Sequence, residues 1–119
     1  MKKTVILIWV FLSACSGPKR AASDNMDGIP ACIARQITIF KTKPVQYPPH
    51  KIYQYKYNNK IVYYIPAICC DQFSDLYDNN CLLLGHPDGG FSGKGDLLFL
   101  DFLSTKTEEK LIWEDERGQ

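Results

Sequence analysis

Apolar residues recur along this chain in several rhythms, and each predicts a different element. The first is a continuous run from Val5 to Leu12, preceded by Lys2 and Lys3. A run that short does not anchor in a bilayer, which takes about 20 residues. A basic start, an apolar stretch and small residues leading to Cys15 are instead the layout of an export signal over residues 1–14. Residues 15–28 show no apolar period and read as a flexible tether. From Ile29 the pattern changes, because Ile29, Cys32, Ile33, Ile37 and Phe40 fall at helical spacing and make one apolar stripe. Asp27 is placed to cap this helix, Pro30 suits its first turn, and it should stop near Lys41 to Lys43, before Pro44.

Period-two alternation follows. Tyr53, Tyr55 and Tyr57 alternate with Gln54 and Lys56, and Asn58-Asn59 supplies the positive φ angles of a two-residue turn. That turn sets Tyr57 opposite Lys60, Tyr55 opposite Val62 and Tyr53 opposite Tyr64. The tyrosine face so formed is expected to receive the helix stripe, with the phenol hydroxyls at its rim. The alternative makes the tyrosines an exposed recognition strip. Leu97 to Leu103 reads as a buried strand or irregular core segment, and Lys110 to Trp113 as a last strand before the charged tail EDERGQ. A helix followed by strands predicts an α+β domain over residues 29–117, one N-terminal helix on a small antiparallel sheet.

With 119 residues and 14 Lys+Arg against 13 Asp+Glu, the chain allows one small domain, and its charge announces neither nucleic acid nor an acidic substrate. Cysteines add more. In an exported chain Cys32, Cys69, Cys70 and Cys81 read as two disulfides. Adjacent cysteines rarely pair with each other, so the expectation is Cys32 with one of Cys69 and Cys70, and Cys81 with the other. Neither a C-x-x-C redox spacing nor a second pair of zinc ligands is present.

Candidate chemistry concentrates between Cys69 and Asp96. Asp71, Asp75 and Asp78 recur at intervals that would stack them on a helical turn, and Asp88 and Asp96 could complete an oxygen-rich calcium site. Their spacing matches neither an EF-hand nor an RTX repeat, so they read first as turn caps facing water, with calcium the alternative and no other cofactor implied. PDGGFSGKGD lacks the leading Gly and trailing Ser/Thr of a phosphate loop and reads as a compact surface loop, with Phe91 and Lys94 as possible partner contacts. His50 and His86 have no nucleophile placed for them by sequence, so no catalytic residue is assigned.

Leu12-Ser13-Ala14-Cys15 resembles the lipobox of bacterial lipoproteins, in which the chain is cut before the cysteine and that thiol carries the lipid. The resemblance implies a palmitate-type anchor on Cys15, and Ser16 resembles the pattern sorted to the outer membrane. VYYIPAICCDQFSDLYD, PDGGFSGKGD and EEKLIWEDER together resemble small bacterial lipoproteins and secreted proteins that share a domain of unknown function, over about Ile29 to Arg117. That pattern carries cysteines where this chain has Gly85 and Phe99, and glycine at Leu97, which implies one lost bridge. It implies no activity. The expectation is a lipid-anchored envelope protein, periplasmic or surface-exposed, that acts as a binding or structural module rather than an enzyme. The alternatives are a calcium-dependent or inhibitor-like protein-binding module, and then a hydrolase.

Overall fold

The computed structural model describes residues 26–119; the expected export signal, Cys15 and the expected tether up to residue 25 lie outside the described residues. Helix α1 (Ala31–Thr42) forms where the stripe predicts and buries Ile33, Ile37 and Phe40. Its N-cap is Pro30, whose carbonyl accepts the N–H groups of Ile33 (3.0 Å) and Ala34 (3.1 Å). No side chain caps the helix, so Asp27 does not have the capping role expected of it; it sits three residues before the cap, outside the positions that reach the first-turn N–H groups. Lys43 leaves the helix in extended conformation, as a residue before proline should.

Strands β1 (Lys51–Tyr57) and β2 (Lys60–Ile65) meet at Asn58 and Asn59, both left-handed at φ 49° and 61°. Their register is the expected one, with Tyr57 opposite Lys60, Tyr55 opposite Val62 and Tyr53 opposite Tyr64. β3 (Asp75–Asp78) pairs with β2, and β4 (Leu83–Gly85) with β3. A short helix α2 (Phe102–Thr105) precedes β5 (Thr107–Glu114), which returns to pair with β1. All pairings are antiparallel and the order is β4-β3-β2-β1-β5. The architecture is α+β, as the succession of patterns predicts. Because β4 and β5 are opposite edges, residues 86–106 must cross the whole sheet between them.

That crossing decides which face covers which. Helix α1 does not lie on the tyrosine face. Ile33, Ile37 and Phe40 pack with Ile52, Tyr63 and Ile65, on the other side of the same hairpin. The face of Tyr55, Tyr57, Val62 and Tyr64 is covered instead by Phe102, with Leu76 from β3 and Phe99 partly buried beside them. Both faces of the hairpin are apolar enough to need cover, and the 86–106 crossing supplies the second one. Tyr55 and Tyr57 meet the Phe102 ring edge-on, with centroids 5.8 and 5.3 Å apart, a preferred aromatic geometry. Leu97 to Leu103 is therefore not a buried strand. It is an irregular run ending in α2, and Phe102 is its buried residue.

A disulfide joins Cys32 on α1 to Cys81 in the β3–β4 turn, with Cα atoms 5.6 Å apart, and the sulfurs of Cys69 and Cys70 are joined to each other. The expected pairing of Cys32 or Cys81 with that adjacent pair is corrected. The β3–β4 turn reaches the start of α1, where Cys32 and Cys81 meet, while Cys69 and Cys70 sit in an exposed turn after β2. The charged tail is structural too. Asp115, 2% exposed, takes a bidentate hydrogen bond from Arg117 (2.8 and 2.7 Å), whose guanidinium also donates to the carbonyls of Phe40, Lys41 and Lys43. Arg117 thus satisfies carbonyls left open at the end of α1 and places a cation at its negative pole.

Candidate functional site

Three buried phenols on the sheet have no acceptor within their own hairpin, and a buried hydroxyl requires one. The crossing segment and the start of β5 supply them. Tyr64 donates to Asp88 Oδ2 (2.5 Å), Tyr57 to Asp101 Oδ1 (2.7 Å) and Tyr55 to Glu109 Oε1 (2.5 Å). Burial first, then the bond to Glu109, pushes the Tyr55 phenol up; burial and then Asp88 do the same for Tyr64; at Tyr57 the bond to Asp101 leads and burial follows. These hydroxyls stay neutral donors above the ordinary phenol range.

Asp88 is the hub. Its second oxygen accepts from Ser74 Oγ (2.5 Å), and Ser74 Oγ in turn accepts the Ala67 N–H (2.9 Å). Ser74, buried at 1% exposure, touches His86 through its carbonyl, and no sequence motif singles it out. Its hydroxyl is fully engaged and points at Asp88. His86 Nδ1 lies 3.0 Å from the Ser74 carbonyl and 3.0 Å from Asp75 Oδ1, two acceptors, so Nδ1 carries a proton. The arrangement orients His86 against the backbone, while the Ser74 hydroxyl donates to Asp88. Burial raises the Asp75 carboxyl above its ordinary value, against the opposing pull of His86.

The other aspartates also organise chain. Asp96 accepts the N–H groups of His86 (2.8 Å) and Leu98 (3.0 Å), and Asp78 those of Asn80 (2.8 Å) and Leu82 (2.9 Å). Burial pushes the Asp96 carboxyl up, but the two backbone donors outweigh it and leave it below its usual range. Asp71 is exposed in the turn after Cys70. Asp75 and Asp78 bound a strand, not a helical turn, so the stacking that their spacing suggested does not arise. Among the described residues no three His, Cys, Asp or Glu side chains converge as a metal ion would need, and the five aspartates are not brought together. Nothing in local spacing marks them as phenol and backbone acceptors. The available signal was the row of alternating tyrosines, which had to find acceptors elsewhere.

These bonds fix residues 86–96 from several sides. The Gly90 N–H donates to the Gln72 carbonyl (3.0 Å), the Gly95 N–H to Gly89 (3.0 Å) and the Asp96 N–H to His86 (3.0 Å). At Gly95, left-handed at φ 62°, any Cβ would overlap the His86 carbonyl, so the backbone itself demands glycine there. On this pinned loop Phe91 is fully exposed at 103% and Lys94 is exposed as well. Next to the loop's base, a cleft of about 360 Å³ opens between α1, the linker to β1 and the Cys69 turn, lined by Gln36, His50, Ile65, Cys69, Phe73 and Asp75. His50 stacks on Phe40 (3.9 Å between centroids), and burial, followed by Lys43, lowers its pKa.

A family model described as Domain of unknown function (DUF6970) matches residues 38–115. No curated protein and no solved structure matches the chain.

Proposed function

The chain belongs to the family matched over residues 38–115, Domain of unknown function (DUF6970), and from that premise we propose that it is a lipid-anchored envelope protein whose domain is a small protein-binding module. One observation carries the binding reading: Phe91 stands fully exposed on a loop that the Asp88 and Asp96 bonds hold rigid. A rigid loop loses little entropy on docking, so an aromatic side chain presented this way is an efficient contact. Lys94, three residues on, adds a charge for orientation. The Leu12-Ser13-Ala14-Cys15 segment supports anchoring through lipid on Cys15 at the outer membrane. The reading gives the domain no catalytic step, since the Ser74 hydroxyl is committed to Asp88.

Two measurements test this. A photo-crosslinking residue at position 91, expressed in the native bacterium, should give a discrete protein adduct that is lost when Lys94→Glu is added while the melting temperature is unchanged. Absence of any adduct at 91, with adducts formed equally from Asn59, would overturn the loop as the contact. For the anchor, Cys15→Ala should move the chain out of the membrane fraction; unchanged retention would refute lipidation.

A further inference from the structure

The crossing segment turns a row of leucines outward. Leu97, Leu98, Leu100 and Leu103 are 60, 74, 62 and 51% exposed, on the outward side of the layer whose inward side is Phe99 and Phe102. Four half-to-mostly exposed leucines within seven residues are an apolar concentration of the kind soluble surfaces avoid unless it is used. Leu97 is also held at φ 68°, a left-handed conformation that costs a leucine energy, and no burial of its side chain offsets it.

The short tether to Cys15 and the aliphatic character of the patch select the occupant. Asp96 accepts two backbone N–H groups, Asp101 the Tyr57 hydroxyl and Glu109 the Tyr55 hydroxyl, and Glu108 pairs with Lys56 at 3.8 Å; Asp101, Glu108 and Glu109 themselves remain exposed. The lysines that bracket the segment are differently placed, with Lys94 exposed and the Lys106 ammonium 4.4 Å above the Tyr55 ring at the layer's edge. Aliphatic side chains facing out, carboxylates each engaged by a protein partner and ammonium groups at both flanks suit a phospholipid surface, whose hydrocarbon lies just beneath its head groups. A protein hot spot would favour Trp, Tyr and Arg over leucine. Among the described residues no helix is long and apolar enough to cross a membrane, so the contact is one of lying on the bilayer.

We infer that the leucine face of residues 97–103 seats in the interfacial zone of the bilayer and fixes the orientation of the domain on it. This inference rests on the lipid anchor proposed above. Cys15 and Met26 are separated by a stretch that spans at most about 36–40 Å when extended, which confines the domain to the membrane surface and raises the effective concentration of a weak apolar contact. Phe91 belongs to the other end of the crossing, beside Gln72 and Phe73, where Gly89 and Gly90 pack, and stays free for a protein partner.

The test uses the purified full lipidated chain on vesicles of phosphatidylethanolamine and phosphatidylglycerol with brominated acyl chains. Leu98→Trp should emit to the blue of free indole and lose at least half its added fluorescence to the bromines, whereas Asn59→Trp at the β1–β2 turn should lose almost none. If the chain floats with the vesicles but the indole introduced at position 98 is no more quenched than the one introduced at position 59, the inference fails and the anchor stands. Shielding of the position-98 indole only by self-association, seen as a dimer in sedimentation, assigns the face to a second copy and overturns it too. If the chain does not float at all, the anchor reading fails and takes the inference with it.

Discussion

Removing the two disulfides separately should have very unequal effects. Cys32 and Cys81 are 49 residues apart, whereas Cys69 and Cys70 are neighbours. In the loop-entropy treatment, closing a loop of the first size removes about 4 kcal/mol of unfolded-state entropy at 25 °C, and closing a two-residue ring only about 1 kcal/mol. The long bridge also ties α1 to the β3–β4 turn, at the edge of the first core cluster, so its loss frees the helix from that side of the sheet. For a domain of this size, about 4 kcal/mol corresponds to a fall of roughly 15–30 °C in Tm. Urea unfolding of Cys32→Ala/Cys81→Ala and of Cys69→Ala/Cys70→Ala measures both terms, with a non-reducing peptide map to read the connectivity. A larger loss in the Cys69/Cys70 variant, or a peptide joining Cys32 to either of those residues, would refute the reasoning.

Gly95→Ala and Gly93→Ala separate steric from conformational cost in the same loop. Both glycines are left-handed, but Gly93 faces open space and Gly95 faces the His86 carbonyl. Gly93→Ala should cost about 1 kcal/mol and Gly95→Ala about 3 kcal/mol or more with loss of loop order; equal costs would mean the loop yields. In alkali, the folded phenols of Tyr55, Tyr57 and Tyr64 ionise later than unfolded ones. Above the unfolded phenol value of about 10 the unfolded chain therefore binds fewer protons, and stability falls as pH rises. The triple Tyr→Phe variant should flatten that limb, and an unchanged slope would count against the three bonds. In acid, Arg117 lowers the Asp115 carboxyl to about 2, so its contribution is full above about pH 4 and disappears as pH falls toward 2; Asp115→Asn should remove that part of the acid transition.

What was legible in the sequence was local. The α1 stripe and the hairpin register follow from periods of 3.6 and 2, which need no knowledge of the rest of the chain. The choice of face was not legible, because Ile52, Ile61, Tyr63 and Ile65 on one side and Tyr55, Val62 and Tyr64 on the other both ask for cover. Only the edge-to-edge crossing of residues 86–106 settles it, and strand order is not a local property. The disulfides failed for a related reason. Intrinsic strain disfavours adjacent pairing in general, whereas the actual connectivity depends on which cysteines the fold brings within reach. Asp115 and Arg117 were hidden in a tail that looked simply charged, since the carbonyls they serve belong to α1 and its end, more than 70 residues earlier.

The tyrosine face and the leucine face are two sides of one constraint. A sheet face built on phenols must be covered by a segment that brings both apolar area and acceptors, because each buried hydroxyl left unpaired would cost about 1–3 kcal/mol. Residues 86–109 meet both needs, with Phe99 and Phe102 for area and Asp88, Asp101 and Glu109 for acceptors. With Phe99 and Phe102 turned to the sheet the leucines face outward, since a run as short as Leu97 to Leu103 cannot bury both sides against a single sheet. Asp88 and Asp96, candidate metal ligands by sequence, instead bond the Tyr64 hydroxyl and the His86 and Leu98 N–H groups. Phe99 and the Asp101–Tyr57 bond hold the leucine face to the sheet, so Tyr57→Phe should loosen the leucine layer while leaving α1 and its disulfide intact, a separation that hydrogen exchange at residues 97–106 against residues 31–42 would resolve.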